Sequence, residues 1–120
     1  MEVNILIRTD IDSDFNFSTS IEGIYTNLKR KELEREWIVK GKALVPDHIQ
    51  KAREYYNDLK SGKIMGDNIP AIRLMRDRKM ETCAYELGKL EAIHTDEEYR
   101  DYYARCLDLS WEKHLLIEWS

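Results

Sequence analysis

The chain has 120 residues, 42% of them apolar and 35% charged, with a net charge of −4. That length suits a single domain, and that apolar share is too high for a disordered chain. No apolar run approaches the ~20 residues of a membrane span, and no basic leader with a small-residue cleavage site marks a signal peptide, so a cytoplasmic protein is expected.

Val3, Ile5 and Ile7 alternate with Asn4, Leu6 and Arg8, the period of a strand, and Leu6 on the second face points to burial on both sides. The strand is expected to stop at Asp10, Asp12 and Asp14, because Asp favours turns. Thr19 and Glu22 have the spacing of a capping box and predict a helix from about Ser20, with Ile21, Ile24, Tyr25 and Leu28 on one face. The charged run 29–36 continues that helix through pairs such as Arg30–Glu34. Residues 37–45, with Ile38, Val39, Leu44 and Val45 around Gly41, predict a strand or short hairpin. Pro46 and Asp47 open a second helix that Gly62 closes. Asn68 caps a third, with Pro70 in its first turn and Ile72, Met75, Met80, Cys83, Leu87 and Leu90 as its apolar stripe. It is expected to be the longest element and to reach about Ile93. Thr95 and Glu98 form a second capping box and start a fourth helix, whose buried side is Tyr99, Tyr102, Tyr103 and Cys106. Residues 113–119 alternate again and predict a strand that returns to pair with the first. The expected fold is one α+β domain over residues 1–120, a small antiparallel or mixed sheet packed on three to four helices. An all-α chain is the alternative.

Cys83 and Cys106 read as reduced core thiols, since nothing resembles a secreted disulfide framework. No phosphate loop, nucleophile elbow, zinc spacing or metalloprotease motif occurs, and no cofactor is expected. Three site hypotheses remain. Seven tyrosines and three tryptophans supply the residue types of binding hot spots. The adjacent pairs Tyr55–Tyr56 and Tyr102–Tyr103 cannot both lie at the centre of one helical stripe, so they and Trp37 are candidates for a protein interface. Residues 29–80 hold fourteen basic and eight acidic groups, against four and ten in residues 81–120. Lys29, Arg30, Lys31, Arg73, Arg76 and Lys79 could therefore contact nucleic-acid phosphates, although these charges equally suit neutralisation by the acidic C-terminal third. Asp10, Asp12 and Asp14 could converge on a divalent cation, and a small metal-dependent enzyme follows if they do.

In size and composition the whole chain resembles the short Lys/Glu/Tyr-rich regulators and inhibitors encoded by phages and other mobile elements, anti-defence proteins among them. The resemblance implies a non-enzymatic protein that binds a protein partner, with nucleic-acid binding as the alternative and homodimerisation as a further use of the aromatics.

Overall fold

The computed structural model describes residues 2–115. Its elements run β1 (Glu2–Ile11), β2 (Phe17–Tyr25), α1 (Asn27–Ser61), α2 (Pro70–Glu91), α3 (Asp96–Cys106) and β3 (Leu109–Leu115). The class is α+β, with three helices and one antiparallel sheet in the order β2-β1-β3. The chain forms two compact units: Met1–Gly41 with Asp96–Ser120, and Lys42–Thr95.

In the first unit, β1 and β2 make a hairpin closed by a five-residue loop. The helix expected from Ser20 is instead strand β2. Phe17, Thr19 and Ile21 keep the strand alternation and lie opposite Ile11, Thr9 and Ile7. A bulge at Glu22 then resets the period, so that Gly23 pairs with Leu6 and Ile24 with Ile5. Because of that extra residue, Ile21, Ile24 and Tyr25 fall at helix-like spacing. The N-cap of α1 is Thr26, whose Oγ1 accepts the Lys29 amide at 3.2 Å.

Strand β3 pairs antiparallel with β1 as expected, but it begins earlier, at Leu109. Residues 116–119 of the expected strand lie outside the described residues. Leu6 lies opposite Trp111 and Asn4 opposite Lys113, which places these side chains on one sheet face. The first turns of α1, together with α3, cover that face through Arg30, Trp37 and Tyr103. Leu6 and Trp37 are the buried apolar residues on this face, and Val3 is buried on the opposite face of β1.

The strand expected at 37–45 is also helix. Trp37, Gly41 and Val45 are each buried and recur every fourth residue, and packing at that period overrides the strand preference of Ile38 and Val39. Pro46 lies inside α1 rather than at the start of a new helix. A proline there has no N–H to donate to the helix, which ordinarily costs about 3 kcal/mol in a helix interior. At 35 residues α1, not α2, is the longest element.

In the second unit the rest of α1 ends at Gly62, which takes φ +81° as expected of a C′ glycine. Ile69, not Asn68, is the N-cap of α2, with Pro70 following it. Val45, Leu59 and Cys83 are the buried apolar residues here. The Cys83 thiol donates to the Ala52 carbonyl at 3.3 Å, and Arg53 pairs with Glu91 at 2.8 Å. Burial, and secondarily the charge of Glu86, push the Cys83 thiol above its usual pKa. Cys106, expected in the core, is exposed at the last turn of α3, and both thiols are free.

Candidate functional site

Two surfaces of the first unit differ from ordinary solvated helix faces. One is a cleft on the covered side of the sheet. The other is the open side of the β1–β2 hairpin.

The cleft is built outward from Asn4, whose relative exposure is 0%. A buried amide needs partners for both ends, and this one has them. Its oxygen accepts Arg30 Nη1 at 2.9 Å, and its nitrogen donates to Asn27 Oδ1 at 2.8 Å and to the Tyr25 carbonyl at 3.4 Å. Arg30 also donates from Nε to Glu34 at 2.9 Å, one helical turn on. Arg100 of α3 approaches the other Glu34 oxygen at 3.7 Å and bonds Asp101 at 3.1 Å.

Arg30 and Trp37 stand seven residues apart on α1, about 10.5 Å along its axis. The Trp111 ring fills that gap, 4.8 Å from the Arg30 guanidinium and 5.5 Å from the Trp37 ring. Tyr25 and Trp111 form a T-shaped pair with centroids 6.0 Å apart and planes at 78°. Arg30 and Trp37 thus occupy the Trp111 ring, which leaves it no open face on which a base could stack. The Trp111 indole nitrogen is buried without a hydrogen-bond partner among the described residues. The open volume beside these groups is about 560 Å³, and Lys31 and Lys113 line it together with Arg30, Glu34 and Arg100.

The hairpin face is simpler. Ile5–Ile24, Ile7–Ile21, Thr9–Thr19 and Ile11–Phe17 are cross-strand pairs, so they form one continuous face of the hairpin with no charged residue. Ile11, Phe17, Ile21 and Ile24 are 59%, 72%, 65% and 62% exposed, and Phe15 at the tip is 82% exposed.

The tip is ordered by Asp12. Its Oδ1 accepts the amides of Asp14 and Asn16, each at 2.9 Å, while its backbone carbonyl accepts the Phe15 amide at 3.1 Å. These bonds, led by the Asn16 amide, hold the Asp12 carboxyl below its ordinary pKa. Asp10 pairs with Arg8 at 3.3 Å. Among the described residues, no three His, Cys, Asp or Glu side chains gather as a cation site would require. The chemistry of Asp12 is that of a loop organiser.

The aromatic candidates are mostly internal. Trp37 is 6% exposed and packs on Tyr103, and Tyr103, Tyr102 and Tyr56 are half-buried. Tyr55 is exposed and, with Lys79, lines a depression in the second unit. The basic candidates divide between the units, Lys29–31 in the first and Arg73, Arg76 and Lys79 in the second. Lys29 pairs with Glu32 at 3.3 Å, and Arg30 is held by Asn4 and Glu34.

The surfaces that stand out are therefore ones that sequence reasoning missed. The hairpin face was hidden by reading β2 as a helix. The cleft depends on Trp111 and Asn4, and no motif marks them; only the β1–β3 register brings them together. No family model, curated protein or solved structure matches the chain.

Proposed function

We propose that this is a non-enzymatic binding protein that engages a protein partner through the open face of its β1–β2 hairpin. The carrying observation is the row Ile11, Phe17, Ile21 and Ile24, each more than half exposed in cross-strand pairs that hold no charge, with Glu112 of β3 on the same sheet face beside Ile5. At on the order of 100 Å² apiece, these four and Phe15 present roughly 500 Å² of apolar surface, the upper end of what monomers leave open. A nucleic acid would gain little from such a face, because phosphate contacts need cations. An apolar protein surface gains from it by burial. Strand β2 adds an edge that pairs only with β1 among the described residues, so a partner strand can extend the sheet there.

The test is a partner isolated from the native cell, identified by mass spectrometry and purified. Calorimetry would then compare its binding to wild type and to the double variant Phe17→Ser, Ile21→Ser. The expected result is a loss of more than about tenfold in affinity with an unchanged circular dichroism spectrum. Undiminished binding by the folded variant would end the reading.

A further inference from the structure

The cleft on the opposite side of the sheet carries a separate conclusion, independent of the hairpin face. Its carboxylates are already engaged. Glu34 holds Arg30 and Arg100, and Asp101 holds Arg100. The groups left over are all donors or cations. Lys31 and Lys113 line the cleft with no ion-pair partner among the described residues, and the Trp111 indole N–H is an orphan donor beside them. Among the described residues four cationic side chains line the cleft against two carboxylates, and the Glu2 carboxylate is held by the lining residue Asn27 at 3.3 Å. Its cationic wall is fixed in place. Arg30 is bonded to the fully buried Asn4 and lies against Trp111, and Lys113 sits directly across the ladder from Asn4.

A surface basic patch would ordinarily be satisfied by water and salt. This one differs because a buried polar network holds it, and because the buried Trp111 indole N–H in its wall has no hydrogen-bond partner among the described residues. We propose that this cleft binds an oxyanion, phosphate or carboxylate, with Lys31 and Lys113 supplying the charge and Arg30 and Arg100 forming the wall behind them. The occupied faces of Trp111 exclude base stacking, so recognition is of the charged oxygens themselves.

The indole cross-peak of Trp111 in a ¹H–¹⁵N spectrum, assigned through Trp111→Phe, reports on the cleft. Inorganic phosphate and acetate would be titrated separately against the full chain at constant ionic strength. A saturable shift of that peak with either ion is expected, and which ion produces it tells phosphate from carboxylate. The double variant Lys31→Gln, Lys113→Gln should weaken the binding about tenfold or more, the size of a charge-assisted hydrogen bond. Both lysines are exposed, so the variant keeps the fold, and the rest of its spectrum will show this. Absence of a saturable shift with both ions overturns the proposal. So does a shift that the double variant reproduces at wild-type affinity.

Discussion

On one face of β1, Asn4 is wholly buried in a network of hydrogen bonds and Leu6 is packed beside it. On the other, Ile11 stands in solvent with Phe17, Ile21 and Ile24 across the ladder. The two faces belong to one strand, so local sequence preference cannot account for the difference. It is set by what lies over each face. The turns of α1 and helix α3 cover the first; on the second, Val3 is buried and Ile5 and Ile7 are half-buried, while Ile11, Phe17, Ile21 and Ile24 stay more than half exposed. A buried amide with every bond made fixes where Arg30 and Trp111 sit. An apolar row left in water contributes little to the fold and is available for contact.

Truncation separates the two faces most sharply. Leu6→Ala removes a buried side chain and is expected to cost about 2–5 kcal/mol in urea unfolding. Ile21→Ala, one step along the ladder and 65% exposed, should cost under about 0.5 kcal/mol. Equal losses would mean that the hairpin face is covered within the folded chain, and the proposed docking surface would be lost. Asn4→Ala comes next. It leaves the Arg30 Nη1 and Asn27 bonds unmade and should cost about 1–3 kcal/mol. It should also broaden the Trp111 indole resonance, because Arg30 is no longer held against the ring.

Gly41→Ala tests the packed side from the helix. On propensity alone, alanine in a helix interior gains about 1 kcal/mol. A β-carbon at Gly41, however, would overlap the Tyr99 carbonyl of α3, and backbone cannot yield as a flexible side chain would. A net loss of about 1–3 kcal/mol is expected, and a gain would show that α3 lies farther from α1 than the structure places it.

Legibility in the sequence follows the same division. Gly62 as a helix terminator and the start of α3 after Thr95 could be read because local chemistry decides them, and the α+β class and the pairing of the C-terminal strand with the first because two alternating segments each need a sheet neighbour. The bulge at Glu22 could not, because one inserted residue turns a strand period into a helical one. The helix through residues 37–45 was hidden for a related reason: β-branched residues state a local preference, and the burial of Trp37, Gly41 and Val45 overrules it. The cleft was illegible because its parts, Asn4, Arg30, Arg100 and Trp111, meet only through tertiary register.

The smallest effect expected concerns the loop that carries Phe15. Asp12 is fully solvated, so no sizeable stability hangs on it, but its lowered pKa has a sign. The ionised carboxylate is favoured in the folded loop, so its support is complete above the ordinary value near 3.8 and fades as pH falls through the lower folded value. The Asp14 and Asn16 amides, which donate to that carboxylate, should move upfield together as it protonates, with a midpoint below that of a free aspartate. The Trp111 indole, on the covered side of the sheet, should not follow them. If it titrated in step with the loop, the two faces would be coupled through β1, and the independence of hairpin face and cleft would fail.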